Sequence, residues 1–148
     1  MGNQSILVSN NSDSFINIVV YYTFKDFYNN KKIIILEDEE AKKMLKDDSA
    51  KQDVFTLNTS WEPLSWTTRN QLLKDTSRVD ESGHLSVDNI RYREAVVKKC
   101  LKEWDYVENS KKIPLTEDVI GRVNADIIEC AFRKYEEFNY FSGEVRGN

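Results

Sequence analysis

The stretch KKCLKEWDYVENSKKIPLTEDV, residues 98–119, decides how the second half of the chain folds. Val97, Leu101 and Trp104 recur at the spacing of one helix face, and a polar loop follows at 108–112. Thr116 then precedes two acidic residues, which is the pattern of a helix start. We therefore interpret the stretch as a corner between two helices, with its lysines in solvent and no chemistry of its own.

Helical spacing extends from this corner in both directions. Upstream it predicts one helix over residues 87–104. Downstream it predicts a helix that starts after Thr116, breaks briefly at 124–126 and continues to Phe138. An earlier helix is predicted over residues 67–77. The second half of the chain is thus expected to be helical.

The first third has the composition of β-strands. Residues 15–24 are rich in β-branched and aromatic side chains, 28–32 is typical of a turn, and 33–36 is a second apolar run. A short helix is expected after the acidic residues at 37–40, and a third strand at 54–59. The sequence predicts an α+β fold, in which a small N-terminal β-sheet or hairpin is followed by a mainly α-helical bundle.

Length and hydropathy predict one domain in the cytoplasm. We expect a single domain over residues 1–148, with a β-rich part at 1–59, a helical part at 60–141 and a flexible tail at 142–148. No apolar run approaches the ~18 residues of a membrane span. The N-terminus also lacks the charged-then-apolar layout of a secretory signal. We expect the protein to stay in the cytoplasm of the cell that makes it.

Charge argues against a nucleic-acid partner. The net charge is −4, from 21 Lys and Arg against 25 Asp and Glu, and the two signs are interleaved. Nucleic-acid-binding domains usually carry a net positive charge. We interpret the most basic group as a solvated helix face, with a nucleic-acid accessory role as its alternative; its members are Arg91, Arg93, Lys98, Lys99 and Lys102.

The sequence lacks the residue patterns that carry catalysis. His84 is the single histidine and lies in a predicted surface loop, so no metal cluster forms around it. The acids at 37–40 and 47–48 suit helix caps, because their side chains diverge. Cys100 and Cys130 are expected to be buried free thiols. We predict a protein that is not an enzyme and has no cofactor or metal. A carboxylate enzyme is the alternative.

Aromatic residues are the strongest candidates for contact. The chain has three Trp, seven Tyr and seven Phe, residue types that are enriched at interfaces. Trp66, just before the expected cap Thr67, is predicted to pack back as a hydrophobic staple. Aromatic residues near the chain end either pack across the sheet or dock on another subunit. The candidates for interaction or packing are Trp61, Trp66, Trp104, Phe132, Tyr135, Phe138, Tyr140 and Phe141.

The stretch from Trp61 to Phe138 resembles the tail assembly chaperones of bacteriophages. The similarity rests on WEPLSW at 61–66, on LKEWD at 101–105 as the end of a helix, and on the PLT cap at 114–116. Two features depart from the family pattern. The loop at 108–112 lacks the glycine often found there, and the N-terminal hairpin has no counterpart that we can match.

The resemblance implies a non-enzymatic bacteriophage protein that is mainly helical and oligomeric. Such chaperones bind the tape measure protein through apolar helix faces until tail tube subunits displace them. The implied partners are the tape measure and tail tube proteins or further copies of the chain, with no nucleic acid and no membrane, in the host cell cytoplasm. The alternative is a structural component of the virion, such as a tail, neck or baseplate subunit.

Overall fold

A β-hairpin opens the fold in the computed structural model of the chain, which describes residues 7–8 and 14–139. Strand β1 (Ile16–Phe27) pairs antiparallel with β2 (Asn30–Leu36). Tyr28 and Asn29 form the two-residue turn, with φ of 49° and 67°. Two positive φ values define the turn type whose twist matches the flanking strands. The predicted hairpin is therefore present, while the expected tail at 142–148 lies outside the described residues.

The main sheet has four antiparallel strands in the order β2-β1-β3-β6. Strand β3 (Phe55–Trp61) pairs with β1 and is the third strand that the sequence predicts. Strand β6 (Leu101–Trp104) pairs with the other side of β3. Side chains alternate between the two faces of a strand. One face, which we call the inner face, buries Ile16, Ile18, Val20, Leu57, Trp61 and Trp104.

Helices and two small hairpins complete the described part of the chain. Between β2 and β6 lie α1 (Asp38–Leu45), α2 (Trp66–Thr76), the hairpin β4 (Ser77–Val79) and β5 (Leu85–Val87), and α3 (Asn89–Cys100). After β6 come the hairpin β7 (Val107–Glu108) and β8 (Lys111–Lys112), then α4 (Glu117–Arg122) and α5 (Ala125–Asn139). The acidic start of α1 and the break before α5 agree with the sequence patterns.

The prediction of a mainly α-helical bundle after an N-terminal sheet is wrong. The chain beyond residue 60 supplies β6 to the main sheet and also forms two small hairpins. The single helix predicted over 87–104 begins after Asp88 and ends at Cys100, where β6 takes over. The fold is α+β, but strands and helices are mixed along its second half.

A β-bulge explains why β6 looks like helix in the sequence. Thr59 pairs with Trp104 and Trp61 pairs with Leu101, so β6 has two residues where β3 has one between these pairs. Leu101 and Trp104, three positions apart, therefore both face the core and are 4% and 6% exposed. A regular strand buries every second residue, whereas a spacing of three is typical of helices.

The core lies between the inner face and the helices, and an aromatic pair holds its centre. The rings of Trp61 and Tyr135 stack with centroids 4.5 Å apart, and both side chains are 0% exposed. Trp61 Nε1 donates to Thr59 Oγ1 at 2.8 Å, and the Tyr135 hydroxyl donates to the backbone oxygen of Glu62. Helix α5 is thereby fixed to β3 through satisfied polar groups as well as buried area.

One lysine also fastens α5 to the open edge of β1. Pairing between the first two strands ends at Tyr21 and Leu36, so β2 leaves the first residues of β1 uncovered. Lys134 Nζ donates to Val19 O at 2.6 Å and to Asp38 Oδ1 at 2.6 Å. This side chain therefore joins α5 both to β1 and to the start of α1.

Candidate protein-contact surface

The aromatic candidates from the sequence divide into buried and exposed groups. Four belong to the core: Trp61, Trp104, Phe132 and Tyr135. Trp66 and Phe138 are 80% and 59% exposed, so they are available to a partner. Tyr140 and Phe141 lie outside the described residues. The fold does not gather the two exposed candidates with the buried ones into one site.

Trp66 differs from its predicted role as a staple. It is the first residue of α2, and Ser65, rather than Thr67, is the helix cap. Ser65 Oγ accepts the N–H of Thr68 at 3.2 Å, which satisfies one of the free donors of the first turn. The tryptophan therefore points into solvent as an isolated apolar side chain, and single exposed residues of this kind need no special explanation.

A larger exposed aromatic group lies where β1 turns into β2, and none of its residues is among the candidates predicted from the sequence. We call it the aromatic end, formed by Tyr22, Phe24, Phe27, Tyr28 and Phe55. Tyr22 stacks on Phe55 with centroids 5.6 Å apart, and Phe24 meets Phe55 edge-on at 5.2 Å. Phe24 and Phe55 are each 41% exposed, and Phe27 and Tyr28 are 56% and 84% exposed.

Strand register places three of these rings together. Tyr22 pairs directly with Phe55 across β1 and β3, and Phe24 follows two residues later on the same face. Along this face of β1, exposure of the side chains increases toward the turn. Val20 is 0% exposed, whereas Phe24 is 41% exposed. Tyr22, Phe24 and Phe55 are therefore on the part of the inner face that the helices leave open, whereas Phe27 alternates to the opposite face, where Lys32 lies over its ring.

Tyr28 occupies a turn position that its side chain disfavours. A left-handed backbone costs residues other than Gly, Asn and Asp about 1–2 kcal/mol. Its φ is 49°, and its ring meets the Phe27 ring edge-on at 4.6 Å while remaining 84% exposed. Neither the turn geometry nor burial in the core thus accounts for a tyrosine at this position.

An apolar cleft adjoins the aromatic end. It has a volume of about 270 Å³ and lies between the sheet, the β7–β8 hairpin and the helices α4 and α5. Its aromatic walls are Tyr22, Phe24, Trp104 and Tyr106, and its polar groups are Glu108, Arg122 and Asn124. Trp104 Nε1 donates to Ile113 O at 2.8 Å, which leaves its ring as a fixed wall.

The tyrosines of the cleft are neutral hydrogen-bonding groups. Burial, followed by the nearby Tyr106 and Asp105, raises the pKa of the Tyr22 hydroxyl. Burial also raises the pKa of Tyr106, whose hydroxyl donates to Glu108 Oε2 at 3.3 Å. Asp105 is occupied, since it accepts the backbone and side-chain N–H groups of Asn58 at 2.8 and 2.6 Å. The cleft therefore offers mainly apolar walls with a few neutral polar groups at its rim.

Groups suited to chemistry lie elsewhere and apart from one another. Within residues 7–8 and 14–139, no three His, Cys, Asp or Glu side chains converge on a metal position. His84 is exposed in the β4–β5 hairpin, with Nδ1 3.8 Å from Asp80 Oδ2. Cys100 and Cys130 are buried free thiols, and burial raises the pKa of Cys100. No helix in the described part of the chain is long and apolar enough to cross a bilayer.

Comparisons with known protein families, with curated proteins and with solved structures each find no match. The residues on which the resemblance to tail assembly chaperones rests have different positions in the fold from one motif to the next. Thr116 caps α4 as expected, and its Oγ1 accepts the N–H of Val119 at 3.1 Å. Leu101–Trp104, which the resemblance puts at the end of a helix, is strand β6.

Proposed function

We propose that this chain is a non-enzymatic binding protein whose aromatic end and adjoining cleft hold an apolar segment of another polypeptide. The observation that carries this proposal is the exposure of Phe24 and Phe55, whose rings meet edge-on beside the cleft, with Phe27 and Tyr28 also exposed at the turn of the same hairpin. Clustered exposed aromatic residues mark contact surfaces, because they bury large areas at low entropic cost. The strained turn at Tyr28 adds support, since a contact role accounts for it.

The cleft favours a polypeptide over a polyanion. Its charged groups are one acid, Glu108, and one base, Arg122, so it presents no excess positive charge. The chain as a whole carries a net charge of −4, which repels phosphate backbones. Aromatic walls with tyrosine hydroxyls at their rim suit an apolar helix or strand that carries occasional polar groups.

The resemblance to tail assembly chaperones supplies a particular partner. In that role the chain would bind apolar segments of a phage tape measure protein in the host cytoplasm, until tail tube subunits displace it. The support is the WEPLSW and Thr116 patterns together with the exposed aromatic surface. The family's helix ending at Trp104 gives no support, because those residues form a strand.

A structural virion component is the second candidate. The exposed Phe27–Tyr28 turn favours it, because aromatic side chains are common anchors of contacts between subunits. Quantitative mass spectrometry of purified particles separates the two roles. Stoichiometric amounts of the chain in finished particles support the virion component, and its loss during purification supports the chaperone.

Co-expression with the tape measure protein of the same genome tests the proposal. Tagged wild-type chain is expected to retain the tape measure protein on affinity resin, and the double variant Phe24→Thr with Phe55→Thr is expected to retain about tenfold less. Threonine removes the rings but keeps a residue that favours strands. Leu85→Thr is the matched control, because Leu85 is a 71% exposed strand residue outside the aromatic end.

Two outcomes contradict the proposal. If the double variant retains as much tape measure protein as the Leu85→Thr control, the aromatic end is not the binding surface. If wild-type chain retains neither tape measure nor tail tube protein, the proposed partner class is wrong. Circular dichroism of each variant establishes that the compared proteins are folded.

A further inference from the structure

The outer edge of β2 offers unpaired backbone groups. A two-residue turn makes Phe27 and Asn30 a hydrogen-bonded pair, so alternate residues from Asn30 onward bond to β1. Lys31, Ile33 and Ile35 therefore direct their N–H and C=O groups away from β1. Within the described part of the chain, these groups form no other backbone hydrogen bond. Such an edge is a template for a further strand.

The opposite edge of the sheet is a weaker template. Strand β6 has four residues and is interrupted by its bulge, whereas β2 has seven residues and no irregularity in its pairing. Bulges and short length are two ways in which proteins protect sheet edges. At β2 the three consecutive isoleucines at 33–35 are only half-buried. Lysines, which protect sheet edges, occur only before them, at 31 and 32.

A groove runs beside this edge, between β2 and α5. Its volume is about 370 Å³, and Ile33 and Ile35 provide apolar lining from β2. From α5, Asp126, Glu129 and Arg133 contribute charged groups, and Glu129 is already paired with Arg93 at 2.9 Å. An added strand would therefore pack its apolar side chains into the groove. The ends of that strand would lie near the charged side chains of α5.

Charge along the β2 segment is complementary to itself. Lys31 and Lys32 precede the isoleucines, and Lys31 forms an exposed ion pair with Asp26 of its own hairpin at 2.8 Å. Glu37 follows the isoleucines as an exposed residue with no ion pair in the described structure. In an antiparallel pair of two β2 strands centred on Ile34, Lys31 of each copy lies opposite Glu37 of the other. Opposite charges directly across a strand pair are stabilising, and like charges are destabilising.

Helix α5, which packs on the inner face, also carries opposite charges that the pairing of two copies would bring together. A two-fold axis through Ile34 and perpendicular to the sheet keeps both α5 helices on one side and runs them antiparallel. The acidic Asp126 and the basic Arg133 flank the groove near opposite ends of its helical wall, and both are exposed. The axis therefore brings the acid of one copy toward the base of the other.

We propose that two copies of this chain associate through antiparallel pairing of their β2 edges, which joins two four-stranded sheets into one of eight strands. The occupant of the groove is thus the second copy, whose Ile33 and Ile35 pack on their counterparts. This surface lies on the outer edge of β2 and α5 and shares Ile33 alone with the lining of the cleft, so dimerisation can be tested apart from what the aromatic end binds.

Sedimentation equilibrium of the full-length chain tests the association. Wild type is expected to dimerise, and Lys31→Glu or Glu37→Lys alone to weaken dimerisation at least about tenfold, because each creates two like-charge contacts per dimer. An equimolar mixture of the two single variants is expected to recover dimers, since each mixed pair restores opposite charges at both ends. A folding defect cannot produce that recovery.

Disulfide cross-linking tests which residues of the two β2 strands lie opposite each other. Ile34→Cys is expected to form a disulfide dimer in air, because Ile34 faces its own copy in a pair whose Cα atoms lie about 4.5 Å apart. Lys32→Cys is the matched control and is expected to stay uncross-linked, since its counterpart is displaced along the strand. The native thiols Cys100 and Cys130 are buried and do not compete.

Three results would overturn the proposal. The first is a wild-type chain that is monomeric at its highest soluble concentration. The second is a dimer that is unaffected by both charge reversals, which would assign the interface to another surface. The third is a chain that dimerises only after deletion of residues 1–13, which would make that segment the occupant of the edge.

Discussion

Two aromatic groups on the same face of the sheet differ in what surrounds them. The Trp61–Tyr135 pair has a centroid separation of 4.5 Å, and the Tyr22–Phe55 pair one of 5.6 Å. Helix α5 covers the first pair, and its polar atoms are hydrogen-bonded inside the protein. The second pair opens into a cleft and toward solvent. Stacking alone does not distinguish a core from a contact surface, whereas coverage by a helix does.

The difference assigns separate roles to the two groups. Burial of Trp61 and Tyr135 contributes to folding, because their apolar area leaves water when the chain folds. At Phe24 and Phe55 about two-fifths of each side chain still contacts water. That remaining area can leave water only on binding. We therefore expect substitutions in the core pair to change stability and substitutions at the aromatic end to change binding.

Trp61→Ala is expected to have the largest effect on stability. Removing a fully buried tryptophan leaves a cavity next to Tyr135 and should lower the free energy of unfolding by about 3–5 kcal/mol. Urea unfolding followed by circular dichroism measures the change. Trp66→Ala is the matched control, because Trp66 is 80% exposed and its removal should change stability by less than about 0.5 kcal/mol. Equal effects of the two substitutions would contradict the assignment of Trp61 to the core.

Tyr135→Phe is expected to have a smaller effect that depends on pH. The substitution leaves the Glu62 carbonyl without its hydroxyl donor and should cost about 1–2 kcal/mol near neutral pH. Burial, followed by the neighbouring Cys100, raises the pKa of Tyr135 far above its ordinary value of 10.0. The unfolded chain therefore releases this proton near pH 10 while the folded chain retains it, so wild-type stability falls as pH rises above that value.

Alkaline unfolding curves check this linkage. Between pH 9 and pH 11, wild type should lose stability more steeply than Tyr135→Phe, since the variant has no proton to lose at this position. The slope that remains in the variant belongs in part to Tyr22 and Tyr106, whose pKa values are also raised by burial. Parallel curves for the two proteins would show that Tyr135 does not titrate differently on unfolding.

Tyr28→Asn is expected to have the smallest effect on stability and a clear effect on binding. Asparagine accepts the left-handed backbone that Tyr28 adopts, so thermal unfolding should occur at an unchanged or higher temperature. Retention of the tape measure protein should fall, because the exposed ring is lost. The Phe27 ring beside the turn is unchanged in this variant, so any loss of retention belongs to the Tyr28 ring. A lower unfolding temperature would mean that the tyrosine supports the hairpin rather than a partner.

The hairpin of β1 and β2 could be predicted because its signals are local. Residues 15–24 favour a strand by composition, and Asn29 and Asn30 suit a tight turn. The acidic start of α1 and the Thr116 cap of α4 are local signals of the same kind. Each of them depends on side chains within a few positions of the element that they specify.

Strand β6 could not be predicted because its cause is distant. Its partner β3 lies more than 40 residues earlier in the chain, as the Thr59–Trp104 pair shows. No glycine or proline marks the end of α3 at Cys100, and the bulge gives Leu101 and Trp104 a helical spacing. Pairing with β3 thus overrides the local pattern, as tertiary contacts often do.

The candidate site was missed for a related reason. Tyr22 and Phe24 show the strand alternation in the sequence, and Tyr28 beside Asn29 shows the turn. Which of two faces stays uncovered depends on where α4 and α5 end, and the sequence pattern does not contain that information. The aromatic residues near residue 138 have the denser sequence pattern, although Phe132 and Tyr135 among them are core residues.

The sequence distance between α5 and the sheet determines when the core can close during synthesis. Lys134 contacts Val19, which is 115 residues earlier, and the Tyr135 ring stacks on Trp61 of β3. A ribosome releases the hairpin and β3 long before it releases α5, so the inner face of the sheet stays without this helix until residue 135 has emerged. Truncation before residue 134 should therefore leave the chain prone to aggregation.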